Sequence, residues 1–407
     1  MSDTMAHGAR QYALITGNYW AFTITDGALR MLVVLHFHSL GYDTLDIALM
    51  FIFYELFGVI TNLLGGYFGA RVGLNRTMNI GLGLQLLALS MLLVSPSLLT
   101  VTWVMAAQAI SGIAKDLNKM SAKSAVKLLA PAHQSASLYR WVALLTGSKN
   151  ALKGLGFFLG GALLSSFGFS TSIMIMLTGL SLVWLLSLIL LKADLGRSKS
   201  KPKISQLLSK STSINRLSGA RLCLFAARDV WFVVALPVYL AQQLGWAYWQ
   251  VSGFLAAWII GYGLVQMLTP RLTRNIQQKT SLTSFSWVHK TAFRWQSSLC
   301  LVPIIMALGL SMQGYDTVVL IVGLGVFGIV FAVNSTLHSY LILALAKTET
   351  VALDVGFYYM ANAAGRLLGT LLSGWVFLEY GFIACLLLSS LLVALTACIT
   401  FSMVGED

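Results

Sequence analysis

The chain has 407 residues, 57% of them hydrophobic and only 10% charged, with a mean hydropathy of +0.79. Apolar runs of about 20 residues recur along the whole length with no soluble block between them, which excludes a soluble globular domain and defines a polytopic membrane protein. The formal net charge of +13 could suggest a nucleic-acid or membrane-surface partner, but its placement along the chain decides otherwise.

The first 11 residues are short and polar and carry no cleavable signal pattern, so the first span is expected to stay as an anchor. Twelve apolar spans follow, near 12–37, 46–69, 77–95, 101–125, 138–164, 169–191, 219–242, 247–269, 296–313, 317–345, 352–377 and 381–403. Arg10, Arg71, Arg76, Lys123, Lys127, Arg140, the stretch Lys192 to Arg221, Arg271 to Arg294 and Lys347 all fall at one set of alternating loops. That accounts for 20 of the 27 basic residues; the opposite loops hold only Asp43, Asp46, Asp316 and Glu379. By the positive-inside rule both termini and the central linker are cytoplasmic, as expected of a bacterial inner-membrane protein.

The Ser/Lys-rich stretch 192–217 separates two groups of six spans, giving an N-terminal half (1–191), a basic cytoplasmic linker (192–217) and a C-terminal half (218–407). The linker reads as a solvated hinge, with anionic lipid headgroups as a second possibility. The halves look like a parallel repeat. Gly156-Phe-Phe-Leu-Gly-Gly161 before Phe167-Gly168-Phe169 matches Gly369-Thr-Leu-Leu-Ser-Gly374 before Tyr380-Gly381-Phe382 at a constant offset of 213, which also places Lys153 on Arg366. Leu40-Gly41-Tyr42 echoes Leu244-Gly245-Trp246 at an offset of 204, which puts Arg228 opposite Ile24.

Six plus six helices around a long basic loop is the layout of the major facilitator superfamily. The loop after the second span, Gly66-Tyr-Phe-Gly-Ala70-Arg71-Val-Gly73-Leu-Asn75-Arg76, resembles that superfamily's GxxxDRxGRR signature, with Ala70 in place of the aspartate and Leu74 in place of one arginine. Gly66, Arg71, Gly73 and Arg76 are the gating-loop residues that the resemblance implies. The implied fold is all-α, with twelve transmembrane helices in two pseudo-symmetric halves.

Eleven ionisable residues fall well inside the spans: Asp26, Arg30, Glu55, Lys115, Asp116, Lys119, Lys149, Lys153, Arg228, Asp229 and Arg366. Each charge at the bilayer centre costs about 3 kcal/mol on insertion scales, so these need partners, a watery cavity or a ligand. Lys115 with Lys119 and Lys149 with Lys153 are spaced i, i+4 and so share a helix face. Structural pairs are available in Asp26 with Arg30, Asp116 with Lys119, and Arg228 with Asp229. Four acids cannot neutralise seven cations, and the surplus points to a multiply charged anion held by Arg30, Lys115, Lys119, Lys149, Lys153, Arg228 and Arg366, with Asn118 and Asn150 as further polar contacts. Glu55, about 14 Å into its span, is the first candidate for a proton-linked carboxylate. Asp26, Asp116 and Asp229 are further candidates for proton coupling or charge pairing.

No catalytic constellation is present: there is no nucleotide loop of the GxxxxGK[ST] kind, no HExxH and no supportable Ser-His-Asp grouping. The four scattered cysteines read as small core residues, and the His36/His38 pair is weak as a metal motif. No metal or cofactor is expected.

Long stretches in both halves also resemble the ArsJ-type organoarsenical efflux permeases: Thr16 to Asp43, Gly73 to Gly81, Ala107 to Ser124, Leu138 to Gly154 and Ala227 to Pro237. The resemblance implies export of 1-arseno-3-phosphoglycerate, conferring arsenate resistance, and a functional link to the glyceraldehyde-3-phosphate dehydrogenase that makes the ester. An organic-phosphate/phosphate antiporter would use the same basic cavity. An intramembrane enzyme acting on an anionic lipid is a third reading, which the repeat disfavours.

Overall fold

A computed structural model describes residues 2–42, 50–130, 135–191, 195–197, 211–246, 248–273, 286–312 and 314–403. Among these residues the secondary structure is helical, with no strand. Spans 1 to 4 are the helices Ser2–Ser39, Ile52–Val72, Leu74–Met91 and Val101–Leu129. Spans 5 and 6 are the two legs of Ser135–Leu190. Span 7 is Thr212–Phe232 continued by Ala235–Gln242, spans 8 to 10 are Tyr248–Leu272, Ser286–Ser311 and Asp316–Leu345, and spans 11 and 12 are the legs of Val351–Phe401. The twelve expected helices are therefore present. Asp43, Asp46, Arg274, Lys279 and linker residues 192–194 and 198–210 lie outside the described residues, and with them part of the basic-loop pattern.

The repeat has a backbone signature. Spans 5 and 6 meet at Gly168 (φ 73°, ψ 178°), and spans 11 and 12 meet at Gly381 (φ 78°, ψ −176°), at the offset of 213. A side chain disfavours that φ, so glycine alone turns the chain there without a loop. Gly73 (φ 103°) is likewise the single residue between spans 2 and 3.

In lipid, helices associate through close packing of small residues rather than through the hydrophobic effect. Span 5 meets span 1 in this way: a Cβ at Gly156 would stand 2.6 Å from the Ile24 carbonyl, and one at Gly27 would stand 2.8 Å from the Lys153 carbonyl. Span 11 meets span 7 equivalently, with Gly369 2.7 Å from the Ala226 carbonyl by the same measure. Matching Gly156 to Gly369 therefore matches Ile24 to Ala226, an offset of 202 at this depth (226 − 24), so Arg228 corresponds to Asp26 rather than to Ile24.

Span 7 starts at Thr212, seven residues before its apolar run, where the Ser211 hydroxyl accepts from the Ile214 N–H at 3.4 Å. Hydropathy marks only the part of a helix that needs lipid, so it misses a capped polar first turn. The span breaks at Val233 and Val234 ahead of Pro237, and the Ser373 hydroxyl accepts from the Ala235 N–H at 3.1 Å. In the linker, the Leu195 carbonyl accepts from the Leu74 N–H at 2.8 Å.

By spatial proximity the chain divides into two compact units. The first contains Met1–Trp141, Ser148–Ser209 and Ala346–Met360; the second contains Val142–Gly147, Lys210–Leu345 and Ala361–Asp407. In the first, Gly66 of span 2 lies against Ala352 and Gly356 at the start of span 11. The core of the second is aromatic: Trp231 stands edge-on to Phe327 at 4.9 Å between ring centres and to Trp258 at 6.0 Å.

Candidate functional site

The first unit gathers a chain of alternating charges and tyrosines. Gly112 brings span 4 onto span 2, since a Cβ there would lie 2.7 Å from the Tyr54 carbonyl. One turn on, the Lys115 ammonium sits 3.7 Å from the centre of the Tyr54 ring. The Tyr54 hydroxyl donates to Asp26 Oδ1 at 2.6 Å, which links span 2 to span 1. Asp116, 1% exposed, takes Lys119 at 2.5 Å and Lys115 at 3.8 Å, and its carboxylate rests on Gly58, where a side chain would crowd it. Lys119 and Lys123 then lie 5.2 and 5.8 Å from the Tyr359 ring centre.

Arg30 pairs with Glu55 at 3.5 Å and lies over the Phe51 and Tyr54 rings. The expected helical pair between Asp26 and Arg30 is therefore absent. Span 2 offers Arg30 a carboxylate and two rings, and offers Asp26 a hydroxyl, so contacts between helices replace the one along the helix. Lys149, Asn150 and Lys153 are half-buried on span 5, with Lys153 5.7 Å from the Phe157 ring centre. Asn118 is fully buried; its amide donates to the Ala114 carbonyl at 3.0 Å and abuts Gly81 of span 3, which places it among packing residues. Asn18 and Trp20 pack spans as well, through Ser187 at 2.8 Å and Ser148 at 2.7 Å.

The second unit holds a smaller cluster. Asp229, 1% exposed, takes Arg228 at 2.6 Å and Arg366 at 3.4 Å, so one buried carboxylate serves two guanidinium groups. Arg228 and Asp229 pair as expected. Arg366 is a third exposed, and Arg228 also lies 4.9 Å from the Phe225 ring centre.

Two buried cations were not legible as such. Lys123 and Arg221 sit at the ends of apolar runs and read as loop residues, yet they are 4% and 3% exposed. Arg221 Nε donates to Asn362 Oδ1 at 2.8 Å, its Nη1 donates to the Ser335 carbonyl at 3.0 Å, and its guanidinium caps Phe225 at 4.0 Å. Beside it on span 10, His338 shares a 2.7 Å hydrogen bond with Gln296. The usable signal was the Ser211 cap, which moves the helix start far enough back to carry Arg221 inside. Asp354 is buried too, so with Lys123, Arg221 and Asp354 added to the eleven residues expected inside the spans, the internal positions among the described residues hold nine cations against five acids. The gating-loop residues divide: Gly66 packs, Gly73 turns, and Arg71 is exposed with its Nη1 donating to the Tyr67 hydroxyl at 3.0 Å, while Arg76 is exposed.

A repeated bundle of membrane-crossing helices with clusters of charge buried among them is the construction of a secondary transporter. The sequence profile of the Major Facilitator Superfamily matches residues 15–288, and the chain belongs to that superfamily. Solved structures share the fold over nearly the whole chain. The E. coli fucose:proton symporter superposes with a TM-score of 0.74 at 13% identity, covering 97% of this chain and 98% of that one. The human organic anion transporter MFSD10 gives 0.75 at 17% identity, covering 97% and 99%. A bacterial homologue of the iron transporter ferroportin, in its outward-facing state, gives 0.76 at 12% identity, covering 96% and 98%. No curated protein sequence matches the chain significantly.

Proposed function

We propose that this transporter exports an anionic organoarsenical, 1-arseno-3-phosphoglycerate, across the bacterial inner membrane, with both termini cytoplasmic, and so confers arsenate resistance. The observation that carries the reading is the cationic surplus inside the spans, five cations against three acids among the predicted residues of the first unit and two against one in the second. A substrate with a phosphate at one end and an arsenate at the other suits basic residues drawn from both halves. Its pentavalent arsenic is met by oxyanion contacts, which arginine and lysine supply. The ArsJ-type resemblance in spans 1, 3, 4, 5 and 7 supports the same substrate and the functional link to a glyceraldehyde-3-phosphate dehydrogenase. The chain acts as a carrier rather than an enzyme, by alternating access of its halves around the anion. Bound substrate offsets the internal cations and so favours the occluded state.

Export also has a ready driving force. Moving each negative charge out of an inside-negative cell releases about 2.3 kcal/mol per 100 mV. The test is accumulation of arsenic in inside-out vesicles supplied with arsenate, glyceraldehyde-3-phosphate, NAD and the dehydrogenase. Uptake is expected only with the complete mixture. Uptake of phosphoglycerate or phosphate instead would replace this reading with the organic-phosphate/phosphate antiporter, which the same charge surplus accommodates.

A further inference from the structure

The four predicted internal acids are not equivalent. Asp116 holds two lysines, Asp229 holds two arginines, and Glu55 holds Arg30. A proton on any of these three strands at least one cation inside the protein. Asp26 is 6% exposed and accepts one hydrogen bond from the Tyr54 hydroxyl, and among the described residues it makes no ion pair. A neutral carboxyl still accepts that bond through its carbonyl oxygen, so Asp26 is satisfied in both protonation states. This reverses the order read from sequence, which placed Glu55 first.

The groups around Asp26 belong to four helices. Its own helix contributes the buried Tyr19 and Arg30, the latter engaged with Glu55, and span 2 contributes Tyr54 and Glu55. Span 4 contributes Lys115, seated over the Tyr54 ring, and its partner Asp116. Span 5 contributes Lys153, whose backbone packs on Gly27, and Lys149 one turn before it. Arg30 and Lys115 each already have a carboxylate other than Asp26 within 4 Å of their charged nitrogens. Neutralising Asp26 therefore adds one positive charge to the cluster without breaking a pair.

From this geometry we propose that Asp26, held by Tyr54, is the proton-binding site of the transporter, and that the proton binds together with the anion and crosses with it. The proposal rests on the anion reading above. Linkage makes the effect reciprocal: the proton strengthens anion binding, and the anion strengthens proton binding. A substrate with two or more negative charges keeps a net negative charge after taking one proton, so an inside-negative potential still drives it outward.

The experiment is calorimetric titration of the purified full chain in lipid nanodiscs with 3-phosphoglycerate, across a pH series and in two buffers of different ionisation enthalpy. Wild type is expected to take up one proton per anion, with affinity rising by up to about tenfold per pH unit of acidification in the coupled range. Asp26→Asn, neutral at every pH, should bind with the acid-side affinity of wild type throughout and take up no proton. Tyr54→Phe keeps the carboxyl, and so should retain proton uptake with its pH range displaced; this variant serves if Asp26→Asn does not fold. Anion binding by wild type without proton uptake, or unchanged uptake in Asp26→Asn, overturns the proposal alone. No binding of 3-phosphoglycerate at any pH overturns the proposal, and the anion reading falls with it if the complete vesicle mixture also gives no arsenic uptake.

Discussion

Replacing Asp229 with asparagine is expected to destabilise this protein more than any other single change among its internal acids. The carboxylate is 1% exposed and holds Arg228 at 2.6 Å and Arg366 at 3.4 Å, so its removal leaves two cations in a low-dielectric interior. Breaking a buried pair from one side costs roughly 3–5 kcal/mol, because the remaining charge loses its compensation. Thermal unfolding in detergent should show a large fall in midpoint for Asp229→Asn and partial recovery when Arg228→Gln is added. Glu55→Gln provides the contrast. Its partner Arg30 and Glu55 itself are each about a third exposed, and such pairs contribute about 0–1 kcal/mol. A wild-type midpoint for Asp229→Asn would mean that lipid or water already solvates the two arginines.

The largest functional losses are expected from Lys119→Gln, Lys153→Gln and Arg366→Gln. Each removes a cation from the proposed anion path while keeping a polar side chain of similar reach. A charge-assisted hydrogen bond to an oxyanion contributes about 1.5–3 kcal/mol, so each loss should lower transport about 10- to 100-fold. The Arg366 side chain is one third accessible, and its guanidinium can fork onto two oxygens where glutamine cannot. Protein in the membrane should stay near wild-type amounts, which separates this effect from that of Asp229→Asn. Normal vesicle transport by all three variants would remove the cationic cavity from the proposal.

Much of the fold was legible because lipid imposes a simple demand: every crossing needs a long apolar helix. The repeat was legible as well, since Gly168 and Gly381 stand in turns that no other residue adopts easily. Neighbouring pairs on one helix, such as Asp116 with Lys119, follow from spacing alone. Pairs between helices do not. Arg30 left Asp26 for Glu55 because span 2 packs beside it, and nothing along span 1 announces that choice. Lys123 and Arg221 were missed for a related reason, since hydropathy cannot tell a cation facing solvent at a helix end from one turned inward under an aromatic ring. The second offset of the repeat drifted from 204 to 202 because only the glycine crossings reveal which turns of span 1 and span 7 correspond.

The loopless turn at Gly168 also bears on how the chain enters the bilayer during synthesis. Span 5 carries Lys149 and Lys153, which together weigh against insertion by roughly 5–7 kcal/mol on translocon scales. Span 6, Phe169 to Leu190, contains no charged residue, and it follows with no spacer. The two legs are thus short of slack for separate entry and favour partitioning as one hairpin, the apolar leg carrying the charged one. The Gly381 turn sets the same arrangement for the leg bearing Arg366 and the charge-free leg after it. Nascent chains ending after span 5 should accordingly integrate less completely than chains ending after span 6, as read by protease protection of ribosome-released products; equal integration would show that each leg enters alone.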